Sequence, residues 1–140
     1  MQQQQRSSPK GAALALLAAA ALFGQFASPA HAGGKSIFTN AQATSGAKEY
    51  SKSCAVCHGA MLQGTSAPAL KGKTSGIAQQ SVAQVYSYMS QQMPLTKPAG
   101  LSSAQYLSIM AYVLRQNGHR AGSSKLTVAG ARASEDTLNP

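Results

Sequence analysis

The sequence Cys54-Ala55-Val56-Cys57-His58 decides the fold of this 140-residue chain. Two cysteines three positions apart at the end of a helix project their sulfur atoms to one side, so each can form a thioether with one vinyl group of a porphyrin. The histidine that follows carries an imidazole nitrogen under the ring, where it reaches the iron. The spacing therefore predicts one covalent haem c, with Cys54 and Cys57 as its attachment points and His58 as the proximal iron ligand.

Three other uses of the cysteine pair fit the sequence less well. A thioredoxin-like dithiol needs a βαβ unit, which this sequence does not offer. A zinc site needs four ligands, whereas the cysteines and histidines after residue 32 are only Cys54, Cys57, His58 and His119, two of them adjacent. A disulfide between the two cysteines would close too small a loop to stabilise the fold much.

Three helical patterns surround the motif, and no segment shows the alternation typical of a strand, so the predicted class is all-α. Ser81 is the predicted N-cap of the second helix, and Ser102 with Gln105 forms a capping box for the third. The segment Gly59 to Gly76 is rich in Gly, Pro, Ser and Thr, which predicts a loop long enough to wrap a bound group. The three patterns run from Ala43 to Cys54, from Ser81 to Pro94 and from Ser102 to Gly118.

The first 32 residues have the features of a secretory signal peptide. Arg6 and Lys10 precede the apolar run Gly11 to Phe23, and small residues follow up to Ala32. We expect cleavage after Ala32 and export to the periplasm, with an uncleaved anchor as the alternative. The apolar run is shorter than the roughly 20 residues of a membrane helix, which argues against the anchor. After cleavage no membrane span is expected, because the rest of the chain has no comparable apolar run. Residues 33–42 and 121–140 show no apolar periodicity and are predicted to be flexible, leaving 43–120 as the folded domain.

The composition adds two constraints. The chain carries 12 Lys and Arg against 3 Asp and Glu, a net charge of +9, but these residues are not clustered among aromatics, so nucleic acid is not an expected partner. Aromatic residues make up only 6% of the chain and Trp is absent, which leaves few large side chains for a core. A covalent haem would supply the missing apolar group, and we therefore expect the apoprotein to be poorly folded.

The distal iron ligand is predicted to be Met93, which lies where a helix breaks at Pro94 and can arch over the ring. Met61 is too close to His58 to reach the opposite face, and Met89 and Met110 occupy apolar stripes that are typical of core positions. His119, beyond the last helix, stays as the alternative ligand.

At these residues the chain resembles the class I cytochromes c, which bind one haem among three main helices. Residues 43–120 would then be the cytochrome c domain. A narrower similarity is to small periplasmic cytochromes associated with alcohol and quinoprotein dehydrogenases. The resemblance extends from about Gly46 to Gly122 and is carried by Gly46, Tyr50, the cysteine motif, Pro68-Ala69-Leu70, Met93-Pro94, Ile109 and Tyr112.

The resemblance implies roles for further residues. The carbonyl of Pro68 would accept the second N–H of His58, Leu70 would pack on the haem, and the first helix would cross the last near Ile109 and Tyr112.

The implied activity is one-electron transfer, from a periplasmic dehydrogenase towards a terminal oxidase or another acceptor. The expected partners are redox proteins with acidic docking surfaces, facing Lys48, Lys52, Lys71 and Lys73, and a subunit role in a dehydrogenase complex is compatible with this. The alternative is a haem enzyme or sensor whose sixth iron position is open or labile, which would need acid–base groups near the iron.

Overall fold

The structure is a computed structural model that describes residues 36–140. Within them there are five helices and no strand, which confirms the predicted all-α class. The predicted signal peptide, residues 1–32, lies outside the described residues. In the part of the chain that is described, no helix combines the length and apolar character that a membrane crossing requires. The helices are α1 (Asn40–Ser53), α2 (Ala55–His58), α3 (Val82–Gln92), α4 (Ser103–Gln116) and α5 (Val128–Ala133).

Helices α1 and α4 cross at close range because Gly46 has no side chain. A Cβ atom at Gly46 would overlap the carbonyl of Ser108 and lie 2.9 Å from Cβ of Tyr112. One turn along α1, the ring of Tyr50 packs against the ring of Tyr112, with centroids 5.3 Å apart and planes tilted by 50°. The predicted crossing of the first helix over the last near Tyr112 is therefore confirmed.

The starts of α3 and α4 follow from local sequence. The Ser81 hydroxyl accepts the N–H of Gln84, and the Ser102 hydroxyl accepts the N–H of Gln105. In each case the glutamine side-chain oxygen accepts the backbone N–H of the serine, so both helices begin with a complete capping box. At the other end of α4, Gly118 adopts φ +100°, the left-handed conformation expected of a residue that ends a helix.

Both ends of the described chain are packed, which corrects the prediction of flexible segments there. Phe38 is buried, and its carbonyl accepts the N–H of Gly122 at 2.8 Å. Near the C-terminus, α5 packs against α3, and Leu126, Ala131 and Leu138 are buried. No local pattern predicts this packing, because the buried side chains are spaced irregularly and do not form one face of a helix.

Candidate haem site

The cysteine motif forms a single helical turn. Helix α1 ends at Ser53, and Cys54 lies at the junction, where its N–H donates to the carbonyl of Tyr50 at 2.9 Å. The Cys54 carbonyl in turn accepts the N–H groups of Cys57 and His58 at 3.1 and 2.9 Å, which closes the turn. The side chain of Cys54 is half-buried and that of Cys57 is exposed.

The imidazole of His58 is oriented by the loop that follows it. Its Nδ1 atom lies 2.8 Å from the carbonyl oxygen of Pro68. A carbonyl can only accept a hydrogen bond, so Nδ1 carries the proton and Nε2 has a free lone pair. This is the contact that the family resemblance implied for Pro68, and it leaves Nε2 as the atom that can bind a metal.

The loop reaches Pro68 because it folds back on the motif. The N–H groups of Gly64 and Ala67 donate to the carbonyls of His58 and Cys57 at 2.8 and 3.0 Å. Gly64 has φ +81°, and a Cβ atom there would lie 2.8 Å from the amide nitrogen of Ala69, so glycine is required at this position. The predicted loop is thus a bonded structure with a fixed path.

Side chains from α1 and from the end of α4 hold the backbone of this region in place. The buried Tyr50 hydroxyl donates to the Gly59 carbonyl at 2.8 Å, just after His58. Burial raises the pKa of Tyr50 above its usual range, so the hydroxyl keeps its proton and donates at all physiological pH values. Asn117 donates to the carbonyl of Leu70 at 2.9 Å and accepts the N–H of Gly72 at 3.0 Å.

These positioning contacts were not predicted. From the sequence, Tyr50 is named only among the residues that carry the family resemblance, and Asn117 falls at the end of the third helical pattern, where it is the C-cap of α4. Each of these side chains forms a hydrogen bond with the backbone of a different segment of the chain. No local sequence pattern predicts such a bond.

Met93 lies at the C-cap of α3, half-buried, with its N–H donating to the Met89 carbonyl at 3.1 Å. The other methionines after the motif occupy different surroundings. Met61 is 71% exposed on the turn after the motif, and Met110 is fully buried in the core of α4. Met93 is therefore the methionine at a helix end, adjacent to Pro94, as the sequence indicated.

His119, the alternative distal ligand, is engaged elsewhere. Its Nε2 atom lies 3.0 Å from the carbonyl of Thr137 and 3.1 Å from that of Leu138. Because both neighbours are acceptors, Nε2 carries a proton and has no lone pair for a metal. Among residues 36–140, no three side chains of His, Cys, Asp or Glu are grouped closely enough to hold a metal ion, so a zinc site is not assembled there.

The thiols do not have the character of a catalytic dithiol. Burial, and secondarily the charge of Cys57, raises the pKa of the Cys54 thiol to about 11. Dithiol oxidoreductases instead depress the pKa of their nucleophilic cysteine, since the thiolate is the reactive form. The surroundings of Cys54 therefore do not favour that alternative.

The residues present fit a covalent haem. The set of donors comprises two thiols on one turn, an imidazole with a free nitrogen and a thioether at a helix end, which matches thioether attachment and axial ligation of iron. Several apolar side chains of the loop and of α3 remain only partly buried against the core, which leaves apolar surface for a large flat group. They are Leu70, Ile77, Val85 and Met89.

A helical fold in which α1 crosses α4, together with one C-x-x-C-H turn, defines a single-haem class I cytochrome c. The family described as cytochrome C oxidase, cbb3-type, subunit III matches residues 41–113, just over half of the chain. The chain belongs to this family of cytochrome c domains, and it is an electron carrier with one covalent haem c at the Cys54 and Cys57 pair. Proteins of the c-type cytochrome class function outside the cytoplasm. No curated protein and no solved structure gives a significant match.

Proposed function

We propose that this protein is exported to the periplasm and carries single electrons from a periplasmic dehydrogenase towards a terminal oxidase. The observation that carries the proposal is the hydrogen bond from His58 Nδ1 to the Pro68 carbonyl, which leaves Nε2 free as an axial ligand. The family description, which names a cytochrome oxidase subunit, supports an oxidase as the acceptor. The dehydrogenase as donor rests on the sequence resemblance.

In this proposal Cys54 and Cys57 would hold the haem covalently through one thioether each, and His58 and Met93 would supply the imidazole and the thioether that bind its iron. When bound, the haem supplies the one-electron couple between ferric and ferrous iron. Leu70, which is partly buried against the core, would pack on the ring and limit the access of water to it. The neutral thioether of Met93 favours the ferrous form and raises the reduction potential, which suits a carrier that delivers electrons to an oxidase.

Replacement of Met93 tests the ligand assignment. We expect the ferric wild-type protein, matured with haem, to show the far-red absorption band of methionine ligation and Met93→Ala to lose it. Met61→Ala, which removes an exposed methionine near the motif, is the matched control and should keep the band. If wild-type protein lacks the band, or Met93→Ala retains it, the assignment is wrong. Rapid binding of carbon monoxide to the ferrous wild type would then favour a haem enzyme or sensor with a labile sixth position.

The distribution of charge supports a partner with an acidic docking surface. Between Glu49 and Glu135 the sequence contains no acidic residue, and this span includes the whole motif, the loop and Met93. Lys71 and Lys73 on the loop are exposed and have no acidic residue near them in the sequence. Lys52 lies 3.5 Å from Glu49 and is partly neutralised, so it contributes less. A positive face at the haem would attract an acidic partner and raise the rate of encounter.

Salt dependence of electron transfer tests the docking proposal. We expect the rate at which oxidase-containing membranes oxidise the reduced protein to fall several-fold between low and physiological salt. The double variant Lys71→Gln, Lys73→Gln should be slower at low salt, whereas Arg120→Gln, Lys125→Gln, which removes the same charge after α4, should match the wild type. Equal rates for the two double variants would contradict docking through the loop.

A further inference from the structure

The segment between α3 and α4 carries Met93 at its start and ends at Leu101. It folds as two tight turns in succession. The N–H of Lys97 donates to the Pro94 carbonyl, and the N–H of Gly100 donates to the Lys97 carbonyl, both at 2.9 Å. These bonds shape the interior of the segment, but they do not attach it to the rest of the protein.

One hydroxyl group holds both ends of this segment. Tyr106, 3% exposed, donates its O–H to the carbonyl of Met93 and accepts the N–H of Leu101 at 3.3 Å. A phenol hydroxyl can donate one hydrogen bond and can also accept, so Tyr106 acts as the donor to Met93 and as the acceptor from Leu101. The two residues it joins are eight positions apart in the sequence, at the entry to and the exit from the turns.

Tyr106 is itself well fixed. It lies in the first turn of α4, directly after the capping box of Ser102 and Gln105, and α4 is locked to α1 at Gly46. Met93 is also bonded to α3, because its N–H donates to the Met89 carbonyl at 3.1 Å. The backbone of Met93 is therefore tied to α3 by its N–H and to α4 by its carbonyl.

We propose that the Tyr106 hydroxyl is the positioning group that keeps the Met93 thioether at the iron. The inference rests on the proposed role of Met93 as distal ligand and adds the residue that holds it there. Because the thioether is a weak ligand, its hold on the iron depends on how closely the chain restricts its position. Without the hydroxyl, both ends of the segment lose a bond to α4, and competing ligands displace Met93 more easily.

Competition with imidazole tests this role in the ferric holoprotein. Removal of two hydrogen bonds in Tyr106→Phe should lower the dissociation constant of imidazole about tenfold and weaken the far-red band of methionine ligation. Tyr112→Phe is the matched control, because Tyr112 lies on the same helix and its hydroxyl has no hydrogen-bond partner within residues 36–140. It should bind imidazole within twofold of the wild type.

A second measurement does not depend on the variant being stable. In the wild-type holoprotein the amide hydrogen of Leu101 should exchange slowly with solvent, because the Tyr106 hydroxyl accepts it. Fast exchange at Leu101 would overturn the proposal, as would a Tyr106→Phe protein whose imidazole affinity and far-red band equal those of the wild type. If instead the wild type lacks the band and Met93→Ala changes nothing, the assignment of Met93 fails first, and the role of Tyr106 fails with it.

Discussion

At the scale of single residues, the haem region is held by side chains that bond to backbone rather than to each other. Tyr50 and Asn117 donate to the carbonyls of Gly59 and Leu70, and Tyr106 donates to that of Met93. Each bond contributes about 1 kcal/mol, and each fixes a segment next to a residue proposed to contact the haem.

Glu49 links α1 to α4 in a way that depends on pH. Its carboxylate accepts a hydrogen bond from the Gln105 side chain at 2.9 Å and lies 3.5 Å from Lys52. The bond from Gln105, and to a smaller degree Lys52, lowers the pKa of Glu49 below its usual 4.5 against an opposing effect of desolvation. A lowered pKa in the folded state means that the unfolded state takes up the proton first.

The stabilising contribution of Glu49 should therefore be present above its unfolded pKa and be lost as pH falls through its folded pKa. We expect the free energy of unfolding of Glu49→Gln to fall less steeply than that of the wild type as pH drops below about 4.5. Denaturant unfolding of the ferric holoprotein at a series of pH values measures this. Glu135→Gln, an exposed site without an ion pair within residues 36–140, should follow the wild type, and identical slopes for all three proteins would contradict the prediction.

At the scale of elements, the C-terminal segment completes the start of α3. The first N–H groups of a helix have no partner within it. Here the N–H of Val82 donates to the Asp136 carbonyl at 2.9 Å, and that of Ala83 donates to the Ser134 carbonyl at 3.1 Å. Helix α3, whose C-cap is Met93, is thus fixed at its start by a segment that lies beyond residues 41–113, the region that the family matches.

Leu138 anchors this segment, since it is fully buried and its N–H donates to the Gln80 carbonyl at 2.9 Å. Leu138→Ala should lower the free energy of unfolding by about 3 kcal/mol through lost burial and the cavity left behind. The same substitution at Leu95, which is 71% exposed, should cost less than about 0.5 kcal/mol. Denaturant unfolding of both holoproteins checks the difference, and equal stabilities would mean that the C-terminal segment is a flexible tail after all.

At the scale of the whole molecule, a covalent haem would complete the core. The chain has few aromatic residues, and several apolar side chains of the loop and of α3 remain partly exposed. A covalent apolar group of that size supplies burial that the side chains alone do not.

The variant Cys54→Ser, Cys57→Ser, which cannot attach haem, should therefore lose most of its helix content and its cooperative thermal transition. Far-UV circular dichroism of this variant beside the haem-loaded wild type measures the effect. Wild-type chain produced without haem attachment is the control for the substitutions themselves and should behave like the variant. A cooperative helical transition in both haem-free proteins would show that the chain folds without its cofactor.

Local sequence was sufficient for the class of fold and for the cofactor, because the signals involved are short in range. The cysteine motif spans five residues, and the capping boxes and helical stripes repeat within a few turns. These features predicted the all-α class and the helix starts that the structure contains, and they predicted the covalent haem that the family match supports.

Only the tertiary structure decided how the site is held. The bond from Tyr106 to Met93 joins residues 13 apart, that from Asn117 to Leu70 joins residues 47 apart, and that from Gln42 to Leu126 joins residues 84 apart. Such pairs arise only once the helices have packed, and nothing in the local pattern of either partner reports them. The sequence by itself therefore determined which group this protein binds and in what class of fold. The packing of α4 and of the C-terminal segment decided which residues fix the position of the proposed ligands.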